Sequence, residues 1–162
     1  MNTSPSTADV QRACTVLSSP ALIRLITEID DNGPIPPRGL TRILSDLAPH
    51  QIRDATDQAH ALGLVRARQG LGLTESGIQA AEVYDEAARW ARTHHYPEVT
   101  SSLVTRVRAT LRLLGDTAGP APSPAAASSL TAPKTALEAW ITTHTGADRT
   151  STELLDAARN AA

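Results

Sequence analysis

The stretch "LAPHQIRDATDQAHALGLVRARQGLGLTESG", Leu47 to Gly77, decides how the chain is read. Pro49 opens an amphipathic run whose apolar members are Ile52, Ala55, Ala59 and Leu62. Their three- and four-residue spacing is that of one helical face. A proline in the first turn costs no hydrogen bond, because the N–H groups there have no intrahelical partner. Gly63 stands where a helix can end in the left-handed conformation. Leu64–Arg68 and Leu71–Thr74 then alternate about Gln69-Gly70, which predicts a very short hairpin.

Upstream, Met1 to Ser6 is polar and expected to be loose. Thr7–Leu17 fits a first helix with Val10, Ala13, Cys14 and Leu17 on one face. Ser19 is placed to cap a second helix that starts at Pro20 and buries Leu22, Ile23, Leu25, Ile26 and Ile29. Asp30-Asp31-Asn32-Gly33-Pro34 stops it. Pro36-Pro37 opens a short third helix through Leu44, with Leu40, Ile43 and Leu44 inward. Downstream, a long helix runs from Ile78 to about His95 with the stripe Ile78, Ala81, Tyr84, Ala88 and Ala91. Val83, Ala87 and Trp90 lie alongside it. Pro97 begins a further helix to Leu114, and Val99, Leu103, Val107, Leu111 and Leu114 form a seam on it.

These runs divide the chain into an N-terminal helix (1–19), a unit at 20–77, long helices at 78–115 and a linker rich in Ala, Pro and Ser at 116–132. A small helical tail (133–162) carries two segments, Pro133–Thr143 and Ser151–Ala161. Neither segment could bury a core alone, so each must dock on the body or a partner, or stay mobile.

Composition bounds the function. Aromatic residues are 2% of the 162 and Phe is absent, so the core must be built of Leu, Ile, Val and Ala, which suits packed helices. The net charge of −2 argues against wholesale coating of nucleic acid but permits a local basic face. Arginine outnumbers lysine fourteen to one, and its planar fork suits phosphate and guanine. The single cysteine, Cys14, excludes an intrachain disulfide framework and a multi-cysteine zinc site. The N-terminus has no signal-peptide pattern, and no apolar run approaches the roughly 20 residues of a membrane helix. A cytoplasmic protein without a membrane partner is expected. No phosphate-binding glycine loop, nucleophile elbow or paired histidines on a helix face can be found, so no enzyme and no cofactor is expected.

The order helix, short helix, tight turn, helix, hairpin is that of a winged helix-turn-helix. The expected fold class is therefore mainly α with a small β-hairpin wing, followed by C-terminal dimerisation helices. Over roughly residues 16 to 95 the chain resembles the bacterial MarR/HxlR group of winged-helix regulators. The matches are Gly33-Pro34, Leu62-Gly63-Leu64-Val65 and Leu73-Thr74-Glu75-Ser76-Gly77. The hairpin is several residues shorter than a wing that probes the minor groove. A related wing signature also occurs in the dimerisation domains of O-methyltransferases, which do not bind DNA, so the fold does not by itself carry the function.

In this motif the first residues of the second helix of the turn face base edges. Here those positions are His50, Gln51, Arg53 and Asp54, followed by Asp57 and Gln58. Gln51 could pair with adenine, Arg53 with guanine or phosphate, and Asp54 could accept from cytosine or hold Arg53 or Arg38. Arg38 and Arg42 would contact the backbone from the preceding helix, and Arg66 and Arg68 from one side of the wing. From Pro34 to Gly77 there are five Arg against three Asp and one Glu, a weak excess that calls for a dimer. The DNA-binding set is thus Arg38, Arg42, His50, Gln51, Arg53, Asp54, Gln58, Arg66 and Arg68. The dimer interface is expected at Val99, Leu103, Val107, Leu111 and Leu114 together with the first helix; the competing reading folds that helix back on its own chain.

The bland readings stand beside these. Cys14 on an apolar face reads as a small hydrophobe before it reads as a redox sensor. His94 and His95 are adjacent and diverge on a helix, which disfavours a metal site with Glu98. Tyr84, Trp90 and Trp140 read as core or as an anchor for the tail, with a pocket for a small-molecule effector as the competitor. The expected function is a sequence-specific transcriptional regulator, a homodimer on a palindromic stretch of double-stranded DNA. The alternative is a winged-helix dimerisation or protein-interaction module that does not read DNA.

Overall fold

The computed structural model describes residues 4–116 and 119–160, with side chains through Thr145 and at Arg159. The chain is mainly helical with one two-stranded antiparallel hairpin, an arrangement compatible with a winged helix. Part of the N-terminal stretch expected to be loose (Met1–Thr3) lies outside the described residues. Ser6 is ordered: its Oγ accepts from the Asp9 N–H, and its own N–H donates to the Asp9 carboxylate, each at 3.2 Å. This reciprocal cap starts α1, Thr7–Leu17.

Helix α2, Pro20–Asn32, buries the five expected residues Leu22, Ile23, Leu25, Ile26 and Ile29. Ser19 precedes it but makes no side-chain cap bond, so Pro20 alone defines the start. The short helix α3 spans only Leu40–Ile43, because Gly39 N–H already closes a turn on the Pro36 carbonyl at 2.8 Å. Helix α4, Pro49–Ala61, ends as its sequence predicts. Gly63 has φ +69, its N–H donates to the His60 carbonyl, and Leu64 N–H donates to the Ala59 carbonyl at 2.9 Å. These paired bonds satisfy two carbonyls that the helix end leaves open.

Strands β1, Val65–Ala67, and β2, Leu71–Leu73, pair with Val65 opposite Leu73 and Ala67 opposite Leu71. Ile35 adds a third rung that sequence patterning did not reveal. It exchanges both backbone bonds with Leu71, at 3.0 and 2.7 Å. The close approach needs Gly70, which has φ +116 and whose added Cβ would lie 2.9 Å from the Ile35 carbonyl oxygen.

Helix α5, Glu75–Thr93, is the central packing element and touches α2 as well as the two long helices that follow. Its buried face carries Ala80, Ala81, Val83, Tyr84, Ala87, Ala88, Trp90 and Ala91. Ile78, expected inward, is 56% exposed. Gly77 is the residue that faces the body at this turn, and a helix turns about 100° per residue, which carries Ile78 outward.

Helix α6 spans Leu103–Leu114, six residues later than the expected start at Pro97. The chain first makes a turn in which Glu98 N–H donates to Ser101 Oγ at 3.2 Å, and Ser102 then caps the helix by accepting from Thr105 N–H. Within the segment expected to be a linker, Pro124–Ser128 forms a short helix, α7. The two expected tail helices are one helix, α8, Thr131–Asn160, running through Gly146. A helical glycine costs only about 1 kcal/mol relative to alanine, which a long helix tolerates. Leu137, Trp140 and Ile141 of α8 are buried in the main core, where α8 packs on α5 and α1.

Candidate nucleic-acid interface

The residues expected to face DNA sit on three neighbouring pieces of the fold: the turn before α3 and α3 itself, the helix α4, and β1 with the hairpin turn that follows it. Arg38, Arg42, His50, Arg53, Asp54, Arg66 and Arg68 are all exposed. The apolar line of α4 does the positioning. Ile52, Ala55 and Ala59 are buried against α2 and leave the opposite side to solvent.

The arginines of this region differ from those of the helical body. Arg38, Arg42, Arg53, Arg66 and Arg68 make no ion pair or side-chain hydrogen bond among the described residues. Elsewhere the guanidinium groups are mostly engaged. Arg12 pairs with Asp9 and Arg89 with Glu86. Arg106 donates to the Val99 carbonyl at 2.9 Å and Arg108 to the Ser18 carbonyl at 3.1 Å. Arg92, near the end of α5, and Arg159, near the end of α8, are exposed arginines of the body with no such partner among the described residues.

Arg24 is a structural neighbour of this region that the sequence did not single out. It donates to Asp46 at 3.0 Å and to Glu28 at 2.7 Å, fastening the turn between α3 and α4 to α2. The i,i+4 spacing of Arg24 and Glu28 was the visible signal. This pairing engages Asp46, so the acids left on the outer side of α4 are Asp54 and Asp57. Asp54 makes no ion pair with Arg53 or Arg38, the role considered for it.

Two of the proposed readers are diverted. Gln58 turns away from the outer face and donates from Nε2 to the Val16 carbonyl at 3.1 Å, tying α4 to α1. Its position on the helix flanks the buried line, within reach of an unpaired carbonyl at the end of α1. Gln51 Oε1 accepts from the Ala48 N–H at 2.8 Å and so closes the start of α4 in place of the missing side-chain cap. A bidentate contact to adenine would need that same oxygen.

The seam expected at a dimer interface is divided. Val107 and Leu111 are fully buried within the chain's own core, where α6 packs on α5 and α1. Leu114 is half-buried against that core. Val99, 66% exposed, and Leu103, 41% exposed, are what a second copy could reach.

The aromatic residues hold the fold. Tyr84 is buried and its hydroxyl donates to the Leu17 carbonyl at 2.8 Å, while burial raises its pKa. Trp90 Nε1 lies 3.1 Å from both the Ala126 carbonyl and Ser129 Oγ, and Tyr96 donates to the Pro120 carbonyl at 2.8 Å. His94 Nε2 is 2.8 Å from Ser129 Oγ. The Ala- and Pro-rich segment is thus strapped across α5 and α6. Trp140 lines a cleft of about 170 Å³ with Asp9, Arg12, Leu62 and His144, smaller than the roughly 300 Å³ lower bound usual for a drug-sized ligand. Cys14 is buried beside Gly115, and loss of solvation pushes its pKa up to about 11, which keeps the thiol protonated. Among the described residues no helix is long and apolar enough to cross a membrane.

Comparison with protein-family models, with curated proteins and with solved structures found no match for the chain.

Proposed function

We propose that the protein is a sequence-specific DNA-binding transcriptional regulator of the winged helix-turn-helix type, acting in the cytoplasm as a homodimer on a palindromic operator. The observation that carries this reading is the set of five exposed, unengaged arginines on α3, α4 and the hairpin, set against a body whose arginines are mostly paired. Unpaired guanidinium groups on one region are the electrostatic footprint of a phosphate-binding surface. The resemblance of residues 16 to 95 to MarR/HxlR-type regulators points the same way.

In this reading α4 lies in the major groove, Arg38 and Arg42 hold one backbone, and Arg66 and Arg68 hold the flanking phosphates. The protein acts by occupying a promoter and carries out no chemistry. Each subunit offers few phosphate contacts, so a dimer supplies the affinity. Capture of bound DNA across the genome, with Arg53→Ala as control, tests the proposal. Enrichment of discrete sites that vanishes with Arg53→Ala is the expected result. No enrichment, or enrichment unchanged by the substitution, would overturn it.

One observation favours a second reading. Asp54 and Asp57 lie on the outer side of α4 with Arg53 as the only nearby cation of that helix, which suits a protein-interaction module. Neutralising Arg53 and Arg68 together separates the two: a reader loses its DNA, while an interaction module keeps its partner.

A further inference from the structure

We infer that Asp54 makes the reading surface select cytosine, so that the half-site is centred on G·C pairs; the inference rests on the DNA-reading role proposed above. Residues at the start of α4 are the ones placed to reach base edges. Residues four apart stack on one side of a helix, so Asp54 stands in line with His50, away from the buried Ile52, Ala55 and Ala59. Its carboxylate is exposed and has no ion pair or hydrogen bond among the described residues. Asp46, by contrast, is held by Arg24 at 3.0 Å.

A carboxylate brought into the major groove loses water and can only accept hydrogen bonds. The donors on offer there are the amino groups of cytosine and adenine. Adenine sets its N7 acceptor beside that amino group, where it repels the second carboxylate oxygen. In the duplex the cytosine amino group has an acceptor on one side only, guanine O6 across the pair, and a C5–H on the other, whereas the adenine amino group lies between N7 and thymine O4. Asp54 therefore tolerates cytosine best and penalises thymine and guanine, which present acceptors.

Gln51 argues for the same composition from the donor side. With its Oε1 accepting from Ala48 N–H at 2.8 Å, the side chain has one acceptor site already used and both Nε2 N–H groups free to donate. Those match the O6 and N7 acceptors of guanine or a phosphate, and the fork of Arg53 matches guanine as well. Gln51, Arg53 and Asp54 in the first turns of α4 thus offer two donors and one acceptor, the complement of neighbouring cytosine and guanine edges.

The test selects binding sites from a randomised duplex pool with the full-length wild type, Asp54→Ala and Asp54→Asn, then titrates the selected duplex and its single-base variants. Asp54 is exposed and bonds to nothing described, so both variants keep the fold. The wild type is expected to require cytosine at one position per half-site, with about a tenfold or greater loss on replacing it. Asp54→Asn is expected to move that preference to adenine, since a carboxamide pairs with both N6 and N7. Asp54→Ala is expected to flatten that position and leave the others sharp. If Asp54→Ala tightens binding to every duplex alike, the carboxylate is plain repulsion and the inference fails. A wild type that selects a site indifferent to residue 54 also defeats it while leaving the DNA-reading role standing. A wild type that binds no duplex defeats both.

Discussion

Gly77 has space for a hydrogen atom and nothing larger. A Cβ there would lie 2.0 Å from the Leu64 carbonyl oxygen, which itself accepts from Thr74 N–H at 2.9 Å. Thr74 completes the junction: its hydroxyl donates to the Gly63 carbonyl and accepts from Gly77 N–H at 3.1 Å. The stretch Leu73-Thr74-Glu75-Ser76-Gly77 is therefore a joint between α4, the hairpin and α5. Gly77→Ala is expected to destabilise the fold by about 3 kcal/mol or more, because a main-chain contact cannot relax as a side chain can. Chemical denaturation measures it, and a loss under 1 kcal/mol would contradict the joint. Asp85 gives a prediction of the opposite sign. Loss of solvation first, then the nearby Asp30 and Asp31 carboxylates, raise its pKa against the weaker pull of Arg89. A carboxyl whose pKa is raised by folding stabilises the fold below that pKa and weakens it once the pH has risen through it. Asp85→Asn should therefore stabilise the protein at neutral pH by a few tenths of a kcal/mol, given solvent screening. The gain should shrink as the pH falls and wild-type Asp85 takes up its proton. A gain that grows on acidification would refute this.

At the scale of elements, what could be read in advance depended on where each element finds its partners. Helices α1, α2 and α4 announce themselves through periodic apolar residues, a proline start or a glycine stop, all local signals. The hairpin was legible for the same reason. The rung from Ile35 was not, because a single residue has no period and its partner Leu71 lies far along the chain. The start of α6 was misplaced because Pro97 imitates a helix opener while the cap is Ser102. The Ala- and Pro-rich segment read as a linker because its composition is that of one. Its order comes from Trp90 on α5 and Tyr96 in the turn that follows, which donate to its backbone carbonyls. Trp90→Phe keeps most of the ring and removes the donor. It is expected to cost about 1 kcal/mol and to speed amide exchange across residues 119–130 more than elsewhere. Equal exchange in the two proteins would show that the strap is held by packing alone. The candidate site was legible as a set of arginines, but not the fate of the two glutamines. Whether an amide caps a helix, ties to α1 or faces outward depends on backbone groups that only the folded chain brings near.

For the whole molecule, the division between a region of unengaged arginines and a body whose arginines are mostly engaged sets the expected solution behaviour. If the protein reads DNA as proposed, Arg68→Ala should weaken that binding about equally on all sequences and lower the salt dependence by about 0.9 per subunit, near two for a dimer. Binding isotherms over a range of salt concentrations check this. An unchanged slope would place Arg68 off the phosphates. The seam on α6 is divided for a reason of scale. An apolar seam on α6 cannot say from sequence whether it meets its own chain or another. Val107 and Leu111 are consumed within the chain, leaving Val99 and Leu103 near the start of α6 for a second copy.

The contact between Gly77 and the Leu64 carbonyl has a mechanical consequence. With Thr74 bonded on both sides of it, the base of the hairpin is tied to the start of α5, so the two are expected to move together. The hairpin is in effect the handle of a lever whose shaft is α5, buried along most of its length. In any assembly of two copies, the distance between the two hairpins is then dictated by how the shafts are set, to within the stiffness of a helix. A change of a degree or two in the angle between the bodies would be delivered at the tips as a displacement, without any loop having to give.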